Sequence, residues 1–319
     1  MTASFVFRIA ADGSAERRPL DIAACDRDGC ALLWMHVDGN DEDCRRWLAE
    51  ESGLPGPVVE ALTAVETRPR AVQLAEGVLL NLRGVNTSPD ADPEDLVSVR
   101  LWAQAGRVIS VNFRPLLAID DLVEQVEAGR ARDPGDLIVR LADVMTARLD
   151  TVIADLGDTA DVLEGDVIEG RVEHLRARIG RVRRAAIELR RYISPQRDAL
   201  SGLLLGRYDW LHEDDRVQIG EAVNRVIRMA EELDSVRERT AVLTEQLADI
   251  RAEAMNERAL ILAVASAVFL PLTFVTGLLG MNVEGIPFAH ERWAFAGVLL
   301  SCLVLGIALW VWLRQREGV

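Results

Sequence analysis

The feature that most constrains this chain is a pair of uncharged stretches close to its C-terminus. From Ala259 to Val283 there are 25 residues without a charge, and from Trp293 to Leu313 there are 21. A helix rises about 1.5 Å per residue and roughly 20 helical residues cross a bilayer core. Both stretches therefore read as transmembrane helices joined by a short loop. The charges after Ala259 are Glu284, Glu291 and Glu317 against Arg292, Arg314 and Arg316, which cancel. The whole net charge of −15 is then carried by residues 1–258. The pattern is that of an acidic soluble domain on a membrane hairpin.

That charge argues against nucleic acid as the main partner, because phosphate binding needs a positive face. All 36 basic residues are Arg, so no Schiff-base or Walker-type lysine chemistry is open to the chain. The first residues, MTASFVFRIAADGSAERR, hold an apolar run broken by Arg8 and do not read as a signal peptide. The first exportable segment begins near Ala259, so the N-terminal part is expected to stay in the cytoplasm. Arg251 and Arg258 before the first span, and Arg314 and Arg316 after the second, place both termini on that side. Four cysteines, Cys25, Cys30, Cys44 and Cys302, are expected reduced there. A zinc site from Cys25, Cys30, His36 and Cys44 is the alternative to ordinary thiols, on a loose spacing. His36, His174 and His212 sit in no recognisable catalytic motif, and no enzyme activity or cofactor is expected.

Three regions follow. Residues 1–133 mix strand and helix signals and read as a cytoplasmic α/β domain. Strand-like runs are Phe5–Ile9, Ala31–Val37, Ala71–Val85, Leu96–Ala103 and Arg107–Phe113, with a tight turn at Ala105-Gly106. Helical stretches lie near Asp41–Ser52 and Gly56–Ala64, and 86–95 reads as a polar loop. Residues 134–258 read as a helical stalk: one helix from Pro134 towards Gly165, one over about Glu169–Leu205, and a third beginning after the acidic run His212–Asp215. The third is expected to run as a rod of nearly 70 residues, on the order of 100 Å long, into the first span. Residues 259–319 form the hairpin, with spans at about 259–281 and 293–313 and a short tail. The Arg-rich tract Arg171–Arg191, with Glu173 and Glu188, is either a solvated face or a patch for lipid headgroups or a regulatory anion.

Within the first span, steps of three and four back from the loop give Gly280, Gly277, Thr273, Leu270, Ser266, Ala263, Ala259, Asn256, Ala252, Asp249 and Glu245. This line is small or polar almost throughout. The neighbouring faces hold Leu260, Ile261, Leu262, Val264, Val268, Phe269, Leu272 and Val275, which suit lipid or the second helix. The stripe is either a tight helix–helix seam or, in a symmetric ring of hairpins, the wall of a water-filled path. Pro271 leaves a freed carbonyl that can line such a path. Trp293, Trp310 and Trp312 read as an interfacial belt.

The loop after the first span reads Gly280-Met281-Asn282 and then Glu284-Gly285-Ile286-Pro287. With the preceding FLPLTFVTGLL, it resembles the CorA-type metal-ion transporters. Gly285-Ile286-Pro287, Glu66–Arg70 (ETRPR) and Leu82–Asn86 (LRGVN) are similar to the zinc-transporting ZntB branch. The resemblance covers essentially the whole chain. It implies a mixed α+β fold, with an N-terminal α/β domain, long helical stalk and two C-terminal spans, assembled as a homopentameric funnel in the bacterial inner membrane. It further implies a pore mouth of Gly280, Met281, Asn282 and Glu284. The pore lining would be Thr273, Leu270, Ser266, Ala263, Ala259 and Asn256, with Glu245 and Asp249 attracting the ion on the cytoplasmic side. Asn282 would meet a hydrated divalent cation through its amide oxygen, Gly280 would permit a sharp turn, and Leu270 would form an apolar constriction. The cargo implied is zinc, taken up with protons; cadmium, nickel, cobalt and magnesium would be poorly distinguished, because the stripe holds no His or Cys. His290 is the loop's one imidazole. A CorA-type magnesium/cobalt channel is the alternative within transport. A tethered sensor is the competing class, and it expects function to survive replacement of the stripe.

Overall fold

The computed structural model describes residues 4–20, 29–65, 67–74, 77–86, 92, 94–171, 174–281, 286 and 291–317. The chain divides into two compact units, residues 1–244 and 245–319.

The first unit is built on a seven-stranded sheet. Strands β1 (Phe5–Ile9), β2 (Ala15–Pro19), β3 (Leu32–Asp38), β4 (Arg70–Leu74), β5 (Gly77–Gly84), β6 (Val97–Gln104) and β7 (Arg107–Asn112) lie in the order β2-β1-β3-β7-β6-β5-β4. Every pairing is antiparallel except β3 with β7. That exception follows from chain order, because β4 to β6 and two helices are inserted between these neighbours. Gly106 closes the β6–β7 hairpin with φ +70°, a conformation a side chain disfavours. The stretch Ala71–Val85, expected as one strand, is the β4–β5 hairpin, with Leu74 opposite Gly77. A Cβ on Gly77 would lie 2.4 Å from the Trp102 ring, so this strand start lets a tryptophan cross over it.

Side-chain alternation divides the sheet into two faces. Leu33, Met35, Val37, Leu79, Trp102, Ile109 and Val111 pack against α1 (Glu42–Glu50) and α2 (Gly56–Thr63) through Cys44, Trp47, Leu48, Val58 and Leu62. The other face carries Phe5, Phe7, Trp34 and His36 in mutual ring contact. Helix α3 (Leu117–Glu127), which the strand-and-stalk reading did not separate, is amphipathic, with Ile119, Leu122, Val123 and Val126 buried.

Helix α4 (Pro134–Ile168) starts where the proline predicts, with the Asp133 carboxylate accepting from the Asp136 backbone N–H at 2.9 Å. Helix α5 runs Leu175–Leu205 and begins later than expected: Gly170 (φ +72°) and His174 (φ +57°) turn the chain between it and α4. Helix α6 (Glu213–Leu279) has 67 residues and starts inside the acidic run. Glu213, Asp214 and Asp215 occupy its first turn, where carboxylates oppose the helix dipole favourably. Asp215 also accepts from the His212 backbone N–H at 2.9 Å. Arg225 pairs with Asp143, and Arg239 with Asp161 and Glu164, joining α6 to α4 within this unit. In the Arg-rich tract Arg178 pairs with Asp166 and Arg190 with Asp234, whereas Arg176, Arg181, Arg183 and Arg184 are exposed.

The second unit comprises the last turns of α6 and helix α7 (Ala294–Glu317). Both helices are long and apolar enough to cross a membrane, and their apolar windows are uncovered by the rest of the chain. A water-soluble protein would bury such surface.

Candidate functional site

The hairpin resolves which face of α6 meets α7. Leu260, Val264, Ala265, Val268, Pro271, Leu272, Val275 and Leu279 are partly covered, and so are Ala294, Gly297, Val298, Cys302, Gly306 and Leu309 on α7. These positions recur every three or four residues on each helix, the spacing of one packed stripe. Small residues let the backbones approach: a Cβ on Gly306 would sit 3.5 Å from Leu272 Cδ1 and 4.0 Å from Val268 Cγ1. Near the loop end the helices diverge around a cleft lined by Val275, Leu279, Trp293, Ala294, Gly297 and Val298. Sequence reading did not pick out the α7 partners; their signal is the four-residue spacing of Ala294, Val298, Cys302 and Gly306.

The small and polar stripe lies on a different face. Asn256, Ala259, Ser266, Leu270, Thr273, Gly277 and Gly280 are all exposed, as are Glu245 and Asp249 further towards the N-terminal side; Ala263 is exposed as well. Within one chain the stripe is therefore not the seam. Ile261, Leu262 and Phe269 are also exposed, on flanks that suit lipid. The stripe hydroxyls are tied to their own helix: Ser266 Oγ donates to the Leu262 carbonyl at 2.8 Å and Thr273 Oγ1 to the Phe269 carbonyl at 2.8 Å. Their hydrogens are thus satisfied within the helix, and each oxygen keeps lone pairs turned outward that accept from water. Pro271 has no N–H to offer the carbonyl four residues earlier, that of Ala267.

Gly280 caps the helix, its N–H donating to the Thr276 carbonyl at 2.9 Å. Its backbone is not in the left-handed region, and the chain turns at this residue. A Cβ there would come within 3.1 Å of the Thr276 oxygen, a tight contact that a side chain relieves only by a small local shift. Met281 is exposed at the helix end. Asn282, Glu284 and His290 lie outside the described residues, as does Cys25.

The soluble unit separates the other residues weighed for metal. His36 and Cys44 sit on opposite faces of the sheet, His36 with the aromatic group and Cys44 in the α1–α2 core. His36 Nδ1 shares a 2.8 Å hydrogen bond with Ser110 Oγ, and burial pulls its pKa down to about 4. Cys44 Sγ lies 3.5 Å from Ser4 Oγ, and burial pushes its thiol up. Among the described residues no three His, Cys, Asp or Glu side chains gather as a metal site.

An α/β unit, long helices and an exposed two-helix apolar hairpin define a membrane protein with two C-terminal spans. The chain belongs to the CorA-like Mg2+ transporter protein family, which matches residues 30–315. It is 40% identical over 292 residues to the divalent cation transporter CmaX of Pseudomonas aeruginosa, covering 89% of this chain and 87% of that one. The solved full-length CmaX superposes with a TM-score of 0.83 over 98% of this chain and 97% of its own. The zinc transport protein ZntB of Yersinia enterocolitica is 36% identical over 281 residues, 87% of this chain and 86% of that protein. The CorA magnesium transporter of Methanocaldococcus jannaschii shares the fold, with a TM-score of 0.84 at 16% identity over 100% of this chain and 99% of that one.

Proposed function

We propose that this chain is a divalent-cation transporter of the bacterial inner membrane, a homopentamer with cytoplasmic termini, whose cargo is zinc taken up with protons. The observation that carries the reading is the stripe on α6 that α7 leaves uncovered. Five such stripes turned inward make one continuous wall from Gly280 to Glu245, while the covered and lipid-suited faces keep the hairpin in the bilayer. Asn282 and Glu284 form rings at the outer mouth beside Gly280 and Met281. Glu284 concentrates cations, and Asn282 accepts hydrogen bonds from the ion's water shell. The ion then passes Thr273, the apolar collar of Leu270, Ser266, Ala263, Ala259 and Asn256. Asp249 and Glu245 draw it into the cytoplasm. The names of CmaX and ZntB support metal transport and, for ZntB, zinc; they also support a protein that is not an enzyme.

A second reading is favoured by the donor set. Zinc prefers nitrogen and sulfur ligands, and the stripe offers only oxygen donors and aliphatic groups. A hydrated ion without inner-sphere protein ligands fits a magnesium/cobalt channel equally, and it predicts weak discrimination among zinc, cadmium, nickel, cobalt and magnesium.

Zinc flux into proteoliposomes, with and without an inward proton gradient, separates the two. Gradient-stimulated zinc entry that Asn282→Ala alters is the expected result. Magnesium flux indifferent to the gradient selects the channel, and no metal flux from verified pentamers selects a tether.

A further inference from the structure

The soluble unit holds a pocket whose charge is not balanced by the described residues around it. Beyond the end of α2, strands β5 and β6 and the segment after β7 line a half-open pocket of about 180 Å³ with Arg83, Asp95, Ser98, Arg100, Phe113 and Arg114 on its walls. That is more space than a single water molecule needs. Arg100 is 3% exposed, donates to the Ala64 carbonyl at 2.7 Å and lies 4.5 Å from the Phe113 ring centre. Arg83 donates to the carbonyls of Leu96 at 2.6 Å and Thr67 at 2.8 Å. All these acceptors are neutral, and the buried Nε of each arginine has no partner among the described residues. Asp95 is already engaged by Arg114 at 2.9 Å and Asn86 at 3.0 Å. Among the described residues, three guanidinium groups thus face one carboxylate, in a chain of net charge −15.

Two neighbouring buried cations persist most readily when an anion sits against both. Burial, with the Arg83 charge adding to it, pulls the Arg100 pKa down to about 10, so Arg100 stays protonated at neutral pH. Asn81 stands opposite Arg100 in the β5–β6 register and is 1% exposed, with neither amide atom partnered among the described residues. The planar donor fork of arginine matches a carboxylate or phosphate edge. We propose that this pocket binds a small oxyanion of the phosphate class.

The site is wired to the helical layer. The Gln196 side chain on α5 accepts from the Arg83 N–H at 2.7 Å and donates to the Arg83 carbonyl at 3.0 Å, and the Tyr192 ring centre is 4.8 Å from the Arg83 guanidinium. Two of the motifs set aside by the membrane reading meet here: LRGVN supplies Arg83, and ETRPR supplies Thr67, whose carbonyl Arg83 holds. The inference does not depend on which ion crosses the membrane.

The test is calorimetric titration of the full chain in detergent with inorganic phosphate, at ionic strength held constant with sodium chloride. Saturable binding is expected. Arg100→Gln should weaken it roughly tenfold or more, from loss of a charge-assisted contact. Arg114→Gln, at an exposed position and so a safe fold, should also weaken it by freeing the Asp95 charge, whereas Arg184→Gln on α5 should not. Tighter binding of glycerol 3-phosphate than of phosphate would support the proposal and show that the anion arrives as an ester. Binding unchanged in both pocket variants, or absent from the wild type, overturns it. So does retention on phosphatidic acid vesicles without free-phosphate binding. Binding that appears only in Glu66→Gln also overturns it, since the chain's own carboxylate would then fill the pocket.

Discussion

Burial of His36 against Phe5, Trp34 and Ser110 removes water from the imidazole and holds it neutral, with a pKa near 4 against an ordinary 6.5. Between those values the unfolded chain takes up a proton that the folded one refuses. The stability contribution is therefore complete above about pH 6.5 and is lost as pH falls towards 4. The slope is about 1.4 kcal/mol per pH unit and the total on the order of 3 kcal/mol. His36→Phe keeps the ring packing and leaves Ser110 accepting from Trp34 Nε1, which it does at 2.9 Å. The apparent Tm of the wild type should fall more steeply from pH 6.5 to 4.5 than that of the variant; parallel curves would show that the ring does not titrate with unfolding. The same residue marks a limit of sequence reading. Cys30, His36 and Cys44 look like neighbours along the chain, but strand parity and the face that α1 covers decide which of them meet: Cys30 packs against the cluster that holds Cys44, and His36 faces the other way. Arg100 carried a signal that the sequence reading did not use: it is a lone charge inside the apolar run LVSVRLWA.

Among the elements, the long helices were the most readable, because Pro134, the acidic run at 212–215 and the two uncharged stretches are local signals. Elements defined by their neighbours were not. Strand β2 (AERRP) is mostly exposed and pairs only with β1, so its sequence carries no apolar alternation. In the hairpin, periodicity drew a small and polar stripe along α6 but did not say which face α7 takes, since that depends on small residues in a second segment. Gly306 tests this arrangement. Gly306→Ala should be neutral, because its Cβ would make ordinary contact with Leu272 at 3.5 Å. Gly306→Leu should lower hairpin stability by about 1–3 kcal/mol through overpacking. Thermal unfolding in detergent, or loss of an engineered α6–α7 cross-link, reads the difference. Equal stability of the two variants would mean that the helices do not pack along this line.

At the scale of the whole molecule, one hairpin cannot enclose a path, and the stripe acquires a purpose only if copies assemble around it. The net negative charge, carried by residues 1–258, would favour cations at whichever end of such a path it faces. Assembly makes the faces of α6 chemically unequal: the stripe would touch water, and Ile261 and Phe269 would touch lipid. In a background with the native cysteines replaced, Ser266→Cys and Thr273→Cys should react with a charged methanethiosulfonate reagent and lose metal flux. Ile261→Cys and Phe269→Cys should react slowly, because their thiols would lie in hydrocarbon where little thiolate forms. Asn256→Cys, placed near the symmetry axis, should cross-link between copies with a short bismaleimide and give a ladder ending at five. Equal reactivity on both faces, or a ladder ending at two, would return the stripe to a dimer seam. Full modification at Ser266→Cys with flux intact would instead show that the ion travels elsewhere.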